Sequence, residues 1–369
     1  MLPLKIGIIG SRGIPNCYGG FEQLAQFLAE GLVRIGHQVS VYNPHNHPYR
    51  KNEWKGVKIV HCYDAAELLG AAGHFFYDLN CIRHAGRNKI DVILFLGYTS
   101  SSVWRRFFPR SAVIISNMDG MEWERVKYSK PVRRFLQFAE KLAVRHSDFL
   151  VADSEVIQQY LKERYQAESR FIPYGAVSGA AVKEELLEGF GLKSKQYFML
   201  MARIEPENNI EMILEGFHRS NLAHKFIVIG NFKNSFGRRM WKKFEGDKRI
   251  SFAGAIYDKG ITHTLRAFCS MYFHGHSVGG TNPSLLEAMA DGALIAAHDN
   301  AFNREVLDRD AYYFTSFTDV QGLVESITVF PPSSMVENNL FKITCKYNWP
   351  AVIGQYDEFI TGCYKLSQR

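Results

Sequence analysis

Two glycine-rich loops in this 369-residue chain each run into a helix, and either could hold an anion. The more specific is Phe273-His-Gly-His-Ser-Val-Gly-Gly-Thr-Asn-Pro-Ser-Leu-Leu-Glu-Ala-Met-Ala-Asp-Gly292. It reads as a strand, a loop, and a helix that opens near Pro283 and closes at Gly292. Glycines let the backbone approach a ligand, and the first N–H groups of the helix suit a diphosphate. Glu287 stands one turn into that helix among Leu285, Leu286, Ala288 and Met289. A carboxylate in apolar company needs a partner, and a ribose diol could supply one. The other loop, Gly10-Ser-Arg-Gly-Ile-Pro-Asn-Cys-Tyr-Gly-Gly-Phe-Glu22, leaves an apolar run and enters a helix. Its glycines also suit a simple tight turn. The spacing is not GxGxxG, and Tyr42-Asn43 close the second apolar run where a dinucleotide site places an acidic residue, which argues against a dehydrogenase.

Both loops need strands to hold them. In the first half, Lys5–Ile9, Gln38–Tyr42, Val57–His61, Val92–Leu96, Ala112–Ser116 and Phe149–Ala152 are strand candidates. A helix over Phe21 to Ile35 puts Leu24, Ala25, Leu28, Leu32 and Ile35 on one face. The pattern restarts with Tyr197–Met201, Lys225–Ile229, Arg249–Phe252, Ser270–Phe273, Leu294–Ala297 and Tyr312–Phe314, with helices near 208–219, 235–244, 283–291 and 318–328. Apolar strands separated by helices imply parallel sheets covered on both faces. The expected fold class is therefore α/β, with two Rossmann-like doubly wound domains. The seam falls near Phe171-Ile-Pro-Tyr-Gly-Ala-Val177, which gives domains at 1–172 and 173–349. Ligands of such sheets bind at the carboxyl ends of the strands, so a central cleft is the expected site.

Composition narrows the function. Hydrophobic residues make up 46% and charged residues 22%, as in a globular protein, and no run approaches a membrane span. The apolar stretch Leu4-Lys-Ile-Gly-Ile-Ile-Gly10 is too short for a secretion signal and ends in a glycine turn. Six cysteines without CxxC or zinc spacing suggest a reducing cytoplasm. The net charge of +7 lies wholly in residues 1–172, which hold 23 Lys and Arg against 16 Asp and Glu; the rest hold 21 of each. A basic half could face nucleic acid, anionic lipid or a phosphorylated substrate. No nucleic-acid-binding signature is present, and nucleic acid is not an expected partner.

Taken together, four ordered segments resemble the retaining GT-B glycosyltransferases of family 4. They are the loop and helix just described, Met201-Ala-Arg203-Ile-Glu-Pro-Glu-Asn-Asn209, the Phe171–Val177 hinge, and the N-terminal glycine loop. That last loop and Asn117-Met-Asp-Gly-Met-Glu-Trp-Glu-Arg125 resemble one subgroup, the bacterial rhamnosyltransferases of capsule and cell-wall polysaccharide assembly. The resemblance implies a GT-B fold, an acceptor domain completed by a returning helix at 350–369, and a donor domain. It implies transfer of a hexose or deoxyhexose, L-rhamnose from dTDP-rhamnose foremost, to a lipid-linked saccharide. Gly19 and Gly20 would approach the donor diphosphate and Arg203 would neutralise it. Gly280, Thr281 and Asn282 belong to the donor loop, Ser284 and Leu285 would offer backbone N–H groups, and Glu287 would bind the ribose. Ile256 and Tyr257 would lie by the base, and Asp119 by the reacting sugar. Read without the resemblance, Asp119 also suits the turn before Gly120. Two positions of the donor site depart from the family: Gly279 stands where a glutamate is usual, and Asn208 where a lysine is usual. A nucleotide-sugar-binding scaffold without activity, or a nucleotide-sugar epimerase, is the alternative.

No cofactor and no metal are expected. Asp308-Arg-Asp310 has Asp-x-Asp spacing but follows the last donor-site helix. Helix N–H groups and Arg203 could stabilise the leaving diphosphate instead. A peripheral place at the inner face of the plasma membrane follows from two basic segments. Trp104-Arg-Arg-Phe-Phe-Pro-Arg110 interleaves aromatics with Arg105 and Arg106, and the helix near Val132–His146 sets Arg133 and Arg134 beside an apolar face. The other reading makes Trp104, Phe107 and Phe108 core residues under the sheet and the charges a solvated face.

Overall fold

The computed structural model describes residues 3–17, 19–118, 120–125, 127–179, 181–326 and 333–368. The chain divides into two compact units. The first takes in Met1–Glu124, Tyr128–Tyr174 and Trp349–Arg369, and the second Arg125–Lys127 and Gly175–Asn348.

The first unit is built on one sheet of eight strands: β1 (Lys5–Ile9), β2 (Gln38–Pro44), β3 (Glu53–Trp54), β4 (Val57–Cys62), β5 (Val92–Leu96), β6 (Val113–Met118), β7 (Phe149–Ala152) and β8 (Arg170–Phe171). Their order is β3-β4-β2-β1-β5-β6-β7-β8. All pairings are parallel except the short hairpin edge β3–β4. Every residue of β5, Val-Ile-Leu-Phe-Leu, is buried, because helices cover a parallel sheet on both faces. Tyr42, Ile82, Phe95 and Ile114 belong to one of its packed cores.

A helix at Trp349–Ser367 completes this unit. Phe27 stacks on Trp349 with ring centroids 4.4 Å apart, and His37 Nε2 meets Asp357 Oδ1 at 2.7 Å. Asn117 Nδ2 donates to the Tyr356 hydroxyl at 3.0 Å. Gly31 leaves room for Ile353, whose side chain would lie 2.6 Å from an added Cβ.

The second unit carries six strands: β9 (Tyr197–Met201), β10 (Lys225–Ile229), β11 (Ile250–Gly254), β12 (Met271–His274), β13 (Ile295–His298) and β14 (Tyr312–Phe314). The order is β11-β10-β9-β12-β13-β14, parallel throughout, which is the Rossmann arrangement. Phe198, Phe217, Phe226 and Phe273 pack edge-on or tilted at its centre. β11, β12 and β13 each start one residue later than the apolar runs suggest. The sequence reading also omitted the helix Lys259–Phe268, which is capped by Asp258. Among the described residues, no helix is long and apolar enough to cross a membrane.

Candidate functional site

In the second sheet, β9 lies between β10 and β12, so the connections leaving β9 and β12 diverge. That switch point opens a crevice at the carboxyl ends of these two strands. Arg203 follows β9 by two residues, and the glycine loop follows β12 directly. The two segments are stitched together. Asn209 Nδ2 donates to the Gly275 carbonyl at 2.8 Å, and Ser277 donates to the Glu207 carbonyl from its N–H at 3.1 Å and its hydroxyl at 2.8 Å. Asn300 and Asn303 each donate to the His276 carbonyl at 3.0 Å. A loop fixed from both sides keeps its geometry without a ligand.

Arg203 is exposed, and among the described residues its guanidinium makes no hydrogen bond or ion pair. Asn208, by contrast, is buried and donates to the Arg203 carbonyl at 2.6 Å, so it shapes the turn that presents the arginine. Gly279 sits at φ +122°, and an added Cβ would meet no described atom within 4 Å. A glutamate there would be strained by the backbone, not by crowding. Gly280 is half-buried and Thr281 buried.

The structure differs from the sequence reading at the start of the helix Pro283–Ala290. The Asn282 side chain caps it, taking the Ser284 N–H at 3.0 Å and the Ser284 hydroxyl at 2.8 Å. Leu285 N–H donates to the Asn282 carbonyl at 3.1 Å. Neither N–H is therefore free for a diphosphate, because a local asparagine satisfies the helix end as N-caps do.

Glu287 has found a protein partner. Its Oε2 lies 3.2 Å from Arg266 Nη1, and Arg266 also binds Asp291 Oδ2 through Nε at 2.6 Å. His263 Nδ1 meets the other oxygen of Asp291 at 2.6 Å. The side chains of Arg266 and Asp291 are buried, while Glu287 keeps about a quarter of its side chain exposed, at 24%. The buried arginine thus aims a carboxylate that still has access to solvent. Tyr257 is exposed and Ile256 half-buried in the turn between β11 and the helix Lys259–Phe268.

Three groups in this unit escaped the sequence reading. His274 and His276 stack with ring centroids 4.5 Å apart, and among the described residues His274 has no hydrogen-bond partner at either ring nitrogen. Burial pushes the His274 imidazole down to about 3. Burial, then His274, Arg203 and Arg125, hold His276 well below its ordinary value, so both rings are neutral at pH 7. Glu207 is buried, and neither of its carboxylate oxygens takes a hydrogen bond from a described residue. The sequence marks these residues only as neighbours of Arg203 and of the glycine loop.

In the first unit, Gly19 stands at the head of the helix Gly20–Ile35, where no described side chain caps the helix. Glu22 turns back to accept the Arg12 N–H at 2.7 Å, and Asn16 Nδ2 donates to the Gly19 carbonyl at 3.3 Å. Asp119 lies outside the described residues, immediately after β6. Of the surface candidates, Trp104 turns inward. It packs on a core cluster and donates its indole N–H to the Phe75 carbonyl at 2.7 Å. Arg105 and Arg133 are half-buried, whereas Arg106 and Arg134 are exposed.

Two Rossmann-type units in tandem, the second with a glycine loop and an uncommitted arginine at its switch point, define the GT-B class of α/β protein. Residues 182–330 match the family Glycosyl transferases group 1, and the chain is a glycosyltransferase. Residues 4–177 match a Domain of unknown function, DUF1972. No curated protein matches the sequence. Solved structures do match in fold. Sucrose-phosphate synthase from Thermosynechococcus elongatus superposes with a TM-score of 0.80 at 14% identity, over 98% of this chain and 99% of that one. HepE from Anabaena in complex with UDP gives 0.75 at 13%, over 97% and 100%. The trehalose 6-phosphate synthase of Burkholderia multivorans gives 0.76 at 11%, over 100% and 99%.

Proposed function

We propose that this glycosyltransferase is a retaining enzyme that takes L-rhamnose from dTDP-rhamnose and delivers it to a lipid-linked saccharide during surface polysaccharide assembly. The observation that carries the donor reading is the exposed, uncommitted Arg203 beside the fixed glycine loop at the β9–β12 switch point. A cation there can neutralise a diphosphate, and Glu287, held by Arg266, can accept hydrogen bonds from the ribose. That HepE was solved with UDP, and also with UDP-glucose, supports a nucleotide-diphosphate sugar. The choice of rhamnose rests on the sequence resemblance of residues 10–22 and 117–125.

In the reaction the bond from the anomeric carbon to the donor phosphate oxygen breaks, and its electron pair leaves with the nucleoside diphosphate. The acceptor hydroxyl oxygen attacks the same face and loses its proton to the departing phosphate. Arg203 stabilises the charge that develops on the leaving group. Asp119 is assigned to the reacting centre on resemblance alone. No metal or cofactor enters this scheme.

Peripheral membrane attachment has its own support. On the helix Lys130–His146, the residues Arg134, Phe138, Lys141 and Arg145 repeat at helical spacing and are all exposed. The exposed Phe107 and Arg106 belong to the short helix Ser102–Phe107 packed beside it. Cations around exposed aromatics suit an anionic lipid surface.

The test is transfer of radiolabelled rhamnose from dTDP-rhamnose to a lipid-linked acceptor, with and without excess EDTA. Turnover in both is expected. Turnover with UDP-glucose instead would move the donor assignment. Loss in EDTA that magnesium or manganese restores would overturn the metal-free scheme.

A further inference from the structure

Glu207 is as buried as a core residue, with 6% of its surface exposed, yet neither carboxylate oxygen accepts a hydrogen bond from a described residue. The cations facing it, Arg125 Nη1 at 3.8 Å and Lys127 Nζ at 3.9 Å, are too distant for one. They offset its charge without satisfying its lone pairs. The same chain shows what a structural buried carboxylate looks like. Glu140, 1% exposed, accepts from Tyr160 and Tyr165 at 2.6 Å each, and from Tyr98 and Trp123 at 3.2 Å each. Buried polar groups are nearly always paired, and one left open asks for an explanation.

Position supplies it. Glu207 lies between Arg203 and Asn208 in the segment after β9, and its backbone carbonyl holds Ser277 of the loop after β12. Its segment therefore borders the switch-point crevice. A carboxylate is not itself a partner for a phosphate; that part falls to Arg203. What a carboxylate accepts is hydroxyl protons. The rings of His274, at the end of β12, and His276, in the loop that the Glu207 carbonyl holds, are uncharged and leave three nitrogens without a hydrogen bond among the described residues. A carboxylate with open lone pairs, with Arg125 and Lys127 beside it as donors, suits the hydroxyls of a sugar, which both donate and accept.

We propose that Glu207 recognises the transferred sugar, accepting hydrogen bonds from its hydroxyls in the donor complex. This rests on the donor-site reading given above and adds to it the group that reads the sugar.

The experiment is calorimetric binding to wild type and Glu207→Gln, with dTDP, dTDP-rhamnose, UDP and UDP-glucose as probes. The variant keeps size and shape but loses the charge. Its affinity for the nucleotide sugar that the wild type prefers is expected to fall about tenfold or more, as for a lost charge-assisted hydrogen bond. Its affinity for the matching nucleoside diphosphate is expected to stay the same, which also shows that the variant is folded. Equal affinity for the nucleotide sugar, or a parallel loss for sugar and diphosphate, would overturn the proposal and leave the donor site standing. A wild type that binds none of the four probes would overturn the donor-site reading itself.

Discussion

Arg203 and Glu287 do different work within the second unit, and their variants should separate it. Arg203 is held out by its backbone: Asn208 fixes its carbonyl while the guanidinium bonds no described residue. Glu287 is held by its side chain, through Arg266 and beyond it Asp291. Arg203→Ala removes one cation and nothing that packs, so kcat/KM for donor should fall about ten- to a hundredfold with the melting temperature unchanged. Glu287→Ala should cost a similar factor in kcat/KM. It should also lower the melting temperature, because the buried Arg266 loses one of its two carboxylates. Steady-state kinetics with thermal unfolding of both variants checks the pair. Wild-type kcat/KM in both would remove the site from this crevice.

At the scale of elements, the glycine loops depend on how closely strands approach. Gly10, directly after β1, has φ +100°, and a Cβ there would come within 2.4 Å of the Leu96 carbonyl oxygen at the end of β5. Both partners are backbone and neither can step aside. Gly36, which ends the helix Gly20–Ile35 at φ +116°, would meet no described atom within 4 Å. Gly10→Ala should therefore cost about 2–4 kcal/mol, and Gly36→Ala only about 1 kcal/mol. Denaturant unfolding of the two variants decides it; equal costs would mean that only the dihedral matters at Gly10. The contrast shows which features sequence reveals. Glycines, Pro283 and the Asn282 cap act within a few residues, so both loops and their helices stand out in the sequence. Glu207, His274 and His276 gain their meaning from what fails to surround them after folding. Trp104 stays ambiguous for the same reason: beside Arg105 and Arg106 it suits either the surface or the core, and its partner, the Phe75 carbonyl, is 29 residues away. Ser284 and Leu285 look like free donors until the asparagine before them is seen to turn inward.

At the scale of the whole molecule, part of the basic excess of residues 1–172 is exposed. Arg106, Arg134, Lys141 and Arg145 are exposed, while Arg105 and Arg133 are partly withdrawn. Replacing the four exposed cations by glutamine should abolish sedimentation with phosphatidylglycerol vesicles at low salt, at about 1 kcal/mol for each charge removed. Donor binding should be untouched. Replacing Arg105 and Arg133 alone should have little effect on sedimentation. A wild type that ignores such vesicles would assign the basic surface to a soluble anionic partner.

The helix Trp349–Ser367 carries a consequence for how the protein is made. The first unit needs this helix to cover Phe27, Gly31 and His37, yet residues 175–348 must leave the ribosome before it. At about 5–20 residues per second the delay is roughly 9–35 s. The second unit is continuous in sequence apart from Arg125–Lys127 and can close during that interval. The nascent first unit must wait with an apolar face open to the solvent. Order of synthesis and order of completion are thus reversed, and the amino-terminal half is the part of the newborn chain most in need of a chaperone.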